Sequence, residues 1–228
     1  SLTEDERTLI LQRFFDANWD HVIGRFPRYE ELLTKRGSDE NEATIQNALV
    51  TFTEQDFRDL QVWFNLAWFD PDFLAEEPLR SLVAKGRDVE EADKEAIFAQ
   101  ALEVMGMILP LHKEMQDSGQ IEVTTTPYTH PILPLIYDSN LAKVALPEAS
   151  LPERFRSSSD AAAQVQKGVG QYRELFGRDP RGMWPAEGAV AQEIVPLVSE
   201  AGIQWMASGE QVLARSIGLD TFARDSQE

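Results

Sequence analysis

The sequence predicts an α/β fold with a mainly helical N-terminal half, and three patterns carry that prediction. Apolar residues recur at helical spacing up to Ser118, the first alternating β-branched run begins only after Gly119, and residues 182–207 read as strand, helix, strand. In such a unit the two strands pair in parallel through a right-handed crossover, and functional groups gather where strands end and helices begin.

Taken in order, Thr3-Glu4-Asp5-Glu6 has the form of a capping box, ahead of Leu9, Ile10, Leu11, Phe14 and Phe15. Phe26-Pro27-Arg28-Tyr29 interrupts that helix, and Tyr29, Leu32 and Leu33 begin a short one that stops near Gly37. Residues 38–44 are polar and read as a loop. A second cap, Thr53-Glu54-Gln55-Asp56, precedes Phe57, Leu60, Phe64, Ala67 and Trp68, and Asp70-Pro71 ends the run. The aromatic cluster of Trp63, Phe64, Trp68, Phe69 and Phe73 has the spacing of a core, a sugar-stacking surface being the other reading. Residues 90–118 form one long helical pattern with Ile97, Ala101, Val104, Met105, Ile108, Leu111 and Met115 inward, interrupted by Pro110 and closed by Gly119.

Residues 120–126 alternate and are rich in β-branched side chains, the mark of a strand. Beyond it, Pro127-Tyr128-Thr129-His130-Pro131 holds an aromatic ring and an imidazole in a loop stiffened by two prolines. A proline-rich connection at residues 146–152 leads to a cap at residues 157–160 and a helix with Val165, Val169, Tyr172 and Phe176 inward and Gly177 at its end. Residues 182–187 then form a short apolar strand that stops on Glu187. A helix follows at once with Val190, Ile194, Leu197, Val198 and Ala201 on one face, and its N-terminus would favour the charged form of Glu187. Residues 203–207 make the returning strand, a last helix covers roughly residues 211–216, and the tail from Asp220 looks unfinished. No internal repeat or low-complexity segment is present.

Composition narrows the chemistry. Asp and Glu number 39 against 21 Lys and Arg, a net charge of −18, which argues against nucleic acid or an anionic membrane surface as the partner. The absence of cysteine removes disulfides and thiol catalysis. No apolar run approaches the ~20 residues that span a bilayer, and the first residues lack the basic and apolar parts of a signal peptide, so a soluble, cytoplasmic protein is expected. The chain opens on Ser1 without an initiator Met and reads from the start like the middle of a longer domain. Nothing in it sets an oligomeric state.

Neither a metal nor a cofactor is expected: no HExxH, HxxEH or paired-His spacing occurs, no GxSxG elbow, and Gly168-Val169-Gly170 lies inside a helical pattern. Among the histidines, His21 and His112 sit in helical patterns, whereas His130 stands in the strand-end loop. A loop histidine bonded to a carbonyl is the plainer reading of His130, as a solvated helix-start glutamate is of Glu187. What remains is carboxylate chemistry at strand ends, with Trp184, Tyr128 and Trp205 able to stack on a sugar ring. A retaining glycosidase needs a second carboxylate roughly 5 Å from its nucleophile. Glu210 follows the next strand, and Glu122 points out of its own strand or into packing, so neither is a clear candidate.

Gly119-Gln120-Ile121-Glu122-Val123 through Tyr128-Thr129-His130-Pro131-Ile132-Leu133-Pro134, followed by Gly182-Met183-Trp184-Pro185-Ala186-Glu187, resembles the second and third conserved regions of family 57 of the glycoside hydrolases. Phe26-Pro27-Arg28-Tyr29 and the run from Gln61 to Phe69 are similar to the segment ahead of those regions in amylase-like members. The family comprises retaining α-glucan enzymes, including α-amylases, 4-α-glucanotransferases, branching enzymes and amylopullulanases, on a (β/α)7 barrel. The resemblance implies an incomplete (β/α)7-type barrel acting on an α-glucan or oligosaccharide. Residues 1–228 would then be one partial catalytic domain, mainly helical over 1–118 and made of barrel strand and helix units over 119–228.

It makes Glu187 the nucleophile, Trp184 part of the sugar-binding wall and His130 a substrate contact at a position that is acidic in some relatives. Tyr128, Trp205 and Glu210 complete the candidate substrate-binding set. The family's opening strand and its acid/base aspartate have no counterpart here, and neither Asp220 nor Asp225 stands in a matching context, so the chain by itself is expected to be inactive. A non-catalytic carbohydrate-binding or regulatory module on the same barrel is the alternative. A polysaccharide deacetylase would need an Asp-His-His metal set that this stretch lacks.

Overall fold

The capping signals act where they stand in the sequence. In the computed structural model, which describes residues 2–39, 41–219 and 222, Thr3 accepts from the Glu6 N–H while the Glu6 carboxylate takes the Thr3 N–H at 2.7 Å, opening α1 (Glu4–Arg13). Pro27 begins α2 (Pro27–Arg36), which stops at Gly37. Asn41 caps α3 (Glu42–Thr51) through the Thr44 N–H, and a Thr53–Asp56 box opens α4 (Glu54–Leu66). Short helices α5 (Pro71–Leu74) and α6 (Leu79–Lys85) precede the long α7 (Glu91–Asp117). Residues 38–44 are therefore not all loop: the polar residue at 41 is itself a helix cap.

The chain forms two compact units, divided between Met107 and Ile108. The first has an apolar core that includes Leu11, Phe15, Ile23, Tyr29, Leu32, Leu60, Trp63 and Leu66, so the core reading holds for Trp63, whose Nε1 donates to Gly86 O, while Trp68 is exposed. Inside it lies an ion network. Arg28 donates to Asp59 (2.9 Å) and Asp56 (2.7 Å), Lys35 also donates to Asp56 (2.7 Å), and the other Asp59 oxygen takes the Val89 N–H (3.1 Å) and the Gln55 amide (2.8 Å). Arg28, Asp56 and Asp59 each have an opposite partner in this network, which is the condition for tolerating a buried charge.

The inward face read for α7 is corrected. Ile97 is buried, but no residue from Ala101 to Met115 is, and Met105, Ile108 and Leu111 are exposed. Periodicity marks residues fit for burial; burial also requires a neighbour.

The second unit contains α8 (Leu133–Tyr137), α9 (Ala142–Ala145), α10 (Ser158–Phe176), α11 (Val195–Glu200) and α12 (Glu210–Ser216), with two short parallel strands, β1 (Gly182–Met183) and β2 (Trp205–Met206). Ser157 caps α10 through the Asp160 N–H and Gly177 ends it in the left-handed region. Leu133, Ala161, Val165, Val169, Met183, Ile194, Val198 and Ile203 form the core.

Two expectations change here. The strand over residues 120–126 is an extended segment with one bridging residue, Thr125, because the Val123 N–H is taken by the Gln116 side chain (2.9 Å) rather than by a ladder. The helix after Glu187 does not follow at once. A Pro196 in the first turn, where a missing N–H does no harm, fixes its start near Val195, and its N-terminus is not adjacent to Glu187. The unit is thus helix-rich α/β, with little of a barrel among the described residues. Asp220 and Asp225 lie outside those residues.

Candidate active site

Three parallel segments make the platform. Thr125 donates its N–H to Gly182 O (3.0 Å) and accepts from the Trp184 N–H (2.8 Å), while β1 pairs with β2 in the register Gly182 with Trp205 and Met183 with Met206. Because all three run the same way, the turns leaving their C-terminal ends share one edge, the usual place for chemistry on parallel sheets.

Glu187 reaches that edge in a 3-10 turn, Ala186–Gly188, with φ 56° and ψ 21°. His130 is also left-handed, with φ 58°. A residue with a Cβ costs about 1–2 kcal/mol in this region, and these two meet: His130 Nε2 lies 3.4 Å from Glu187 Oε1. Asp88, which also has a positive φ, belongs to the first unit, and aspartate tolerates the region through local hydrogen bonding. Strain shared by two side chains that face each other is the kind that marks a working site. Their side chains are 52% and 71% exposed, so the pair is open to a ligand.

The surroundings hold both residues in place. Thr126 Oγ1 lies 3.3 Å from His130 Nδ1, and the His130 N–H donates to Pro127 O (2.8 Å). From α10, the Gln164 carbonyl takes the Tyr128 N–H (3.1 Å) and its side chain takes the Thr129 N–H (2.9 Å). Close approach of α10 depends on Gly168, where a Cβ would stand 2.5 Å from Thr126 O. On the far side of Glu187, Ser208 Oγ donates to Gly188 O (3.3 Å). When the Thr126 hydroxyl donates to Nδ1, the ring proton sits on Nε2 and faces the Glu187 carboxylate.

The remaining sequence candidates divide by position. Trp184 follows β1 on the same edge, 53% exposed, its indole available for stacking. Tyr128 is exposed in the His130 loop, with Lys167 Nζ 5.9 Å from its ring centroid. Trp205 turns toward the opposite end of the strands: its ring covers Gly182, which has no room for a Cβ, and its Nε1 donates to Glu122 (2.9 Å). Glu122 is exposed and also pairs with Arg181 at 3.4 Å, so it points out of its segment rather than into packing. Glu210 is exposed in the first turn of α12.

Sequence reading missed Thr126, Gln164 and Ser208. Only Thr126, four residues before His130, carried a local signal; Gln164 and Ser208 arrive through the fold. Among the described residues no group of three or more His, Asp or Glu side chains is placed to hold a metal ion, and none of the helices is long and apolar enough to cross a membrane. The arrangement offers an open carboxylate that can act as nucleophile or base, an imidazole that can donate to it, and an aromatic face beside them.

Alpha-amylase 1 of Dictyoglomus thermophilum is 30% identical over 94 residues, 41% of this chain and 11% of that protein. A crystal structure of a family 57-type branching enzyme from the hyperthermophilic archaeon Pyrococcus horikoshii aligns over 96% of this chain and 40% of its own, at 18% identity and a TM-score of 0.41. The chain thus spans well under half the length of either relative. The model of glycosyl hydrolase family 57 matches residues 8–225, and with that match running over nearly its whole length, the chain belongs to glycosyl hydrolase family 57.

Proposed function

We propose that residues 1–228 are part of a retaining enzyme that hydrolyses or transfers α-glucan chains, with Glu187 as the nucleophile. The observation that carries the reading is the meeting of Glu187 and His130, both left-handed, at the C-terminal ends of neighbouring parallel segments. In this mechanism a Glu187 oxygen attacks the anomeric carbon while a second carboxyl group, protonated, gives its proton to the departing glycosidic oxygen and is left as a carboxylate, and the glycosyl ester forms on Glu187. The same carboxylate, now a base, takes a proton from water or from a glucan hydroxyl, which attacks the anomeric carbon and frees Glu187.

His130 orients the nucleophile through Nε2 and contacts the sugar, and Trp184 and Tyr128 supply stacking surface. Glu210 belongs to the outer part of this substrate set, whereas Trp205, whose ring lies over Gly182 and whose Nε1 donates to Glu122, stands apart from it at the other end of the strands. The acid/base carboxylate comes from sequence beyond these residues, on an incomplete (β/α)7-type barrel that the remaining strands complete. The isolated chain therefore turns over no maltooligosaccharide.

The openness of the pair favours one other reading, a carbohydrate-binding module without chemistry. Turnover of maltoheptaose by the full-length protein, wild type beside Glu187→Gln with folding checked by circular dichroism, separates them. The enzyme reading requires a loss of about a thousandfold or more in a folded variant. Equal activity refutes the role of Glu187, and maltoheptaose binding without turnover in the wild type establishes the module.

A further inference from the structure

A second polar site lies at the N-terminal ends of the strands, away from Glu187. A cleft of about 640 Å³ opens there, within the roughly 300–1,000 Å³ usual for small-molecule sites, lined by Gln116, Glu122, Tyr172, Arg178, Asp179 and Arg181 among others. Gln116 is 5% exposed. Its Oε1 accepts from the Val123 N–H (2.9 Å) and the Tyr172 hydroxyl (2.7 Å), but its Nε2 has no hydrogen-bond partner among the described residues. A buried amide donor without an acceptor costs about 1–3 kcal/mol; the nitrogen is closed to solvent as it stands, and a ligand oxygen relieves that cost when the side chain turns toward the cleft.

The charges say which ligand. Arg178 and Arg181 share the cleft with Asp117, Glu122 and Asp179, and Asp117 and Asp179 are further paired with Lys113 and Arg173. An ion of either sign would meet like charge as readily as opposite charge. A neutral molecule that donates and accepts at several points meets no such conflict, and the vicinal hydroxyls of a sugar do this. We propose that this cleft is a second carbohydrate-binding site, distinct from the catalytic edge, that takes part of an α-glucan chain. Gln116 Nε2 and the two arginines donate to sugar oxygens, and Glu122 and Asp179 accept from its hydroxyls. The identity of the sugar as α-glucan rests on the function proposed above; the site itself does not.

The test is titration of the 228-residue chain with maltotriose, followed by amide NMR. Gln116→Glu keeps an acceptor for Val123 and Tyr172 but replaces the amide donor by a carboxylate oxygen and adds a negative charge at a buried position; Arg181→Ala removes a rim donor without that charge; Trp184→Ala alters the other edge. Saturable shifts at Gln120, Ile121 and Arg178 are expected in wild type and Trp184→Ala, weakened about tenfold or more in folded Gln116→Glu and in Arg181→Ala. If Gln116→Glu does not fold, Arg181→Ala decides. Shifts confined to residues around Trp184 and Glu187, saturation by cellotriose but not maltotriose, or unaltered affinity in the cleft variants would each overturn the proposal. Saturation at the cleft together with no turnover by the full-length protein would sink the enzymatic reading and leave this site standing.

Discussion

Replacing Glu187 by glycine should leave the chain more stable than replacing it by alanine, although both variants lose the same carboxylate. Both forfeit the 3.4 Å contact with His130, a pair with exposed side chains worth at most about 1 kcal/mol, and that loss cancels in the comparison. What differs is the backbone. At φ 56° and ψ 21° alanine bears the left-handed penalty of about 1–2 kcal/mol, and glycine does not. Against this, glycine loosens the unfolded chain and gives back about 0.4–1 kcal/mol. The balance favours glycine by about 0.5–1 kcal/mol, roughly 2 °C in Tm for a chain of this length. Thermal denaturation by circular dichroism reads it directly. An alanine variant as stable as the glycine variant would show that position 187 carries no left-handed strain, and would remove the structural argument that singles it out. The same pair of substitutions at His130, with φ 58°, should order the same way.

Other consequences lie outside the catalytic pair. Arg28→Met should destabilise the first unit by about 3–5 kcal/mol in urea unfolding, because it leaves Asp56 and Asp59 buried without their guanidinium. Burial opposes ionisation of Asp56, but Lys35, the Thr53 N–H and hydroxyl, and Arg28 together outweigh it and hold its carboxyl well below the usual carboxylate range. A depressed folded-state value stabilises above the ordinary carboxylate pKa of about 4 and ceases to do so as pH falls through the folded value. The advantage of wild type over Asp56→Asn in urea should therefore be constant near neutrality and shrink in acid; an advantage that grows in acid would refute it. Gly168→Ala, although alanine is the better helix former, should cost about 1–3 kcal/mol because the new methyl would meet Thr126 O; a stabilised variant would contradict the packing. Trp184→Ala should change stability by less than about 0.5 kcal/mol yet weaken maltoheptaose binding about tenfold, and unchanged binding would remove Trp184 from the sugar site.

Local chemistry was legible before the structure. Caps at Thr3, Thr53 and Ser157 and stops at Gly37 and Gly177 act within a few residues, so their signals sit beside their effects. What was illegible depends on distant partners. Gln116 takes the Val123 N–H that strand pairing would have used, so a β-branched run yields one bridging residue. Pro196 sets the late start of α11, a breaker hidden in an otherwise regular apolar pattern. On α7 the apolar spacing was real, but of the residues it marked only Ile97 is buried, and Met105, Ile108 and Leu111 are exposed. At the site, Glu187, Trp184 and His130 could each be named from their motifs. That Glu187 and His130 face each other, and that Trp205 turns to Glu122, needed the register of the parallel segments.

The nucleophile can be read out chemically. Full-length protein incubated with 5-fluoro-α-glucosyl fluoride, which loses its anomeric fluoride on transfer, then digested and analysed by mass spectrometry, should carry one 5-fluoroglucosyl ester on the peptide containing Glu187, and none in the Glu187→Gln variant. A label on any other carboxylate, in a protein that turns over maltoheptaose, would contradict the account.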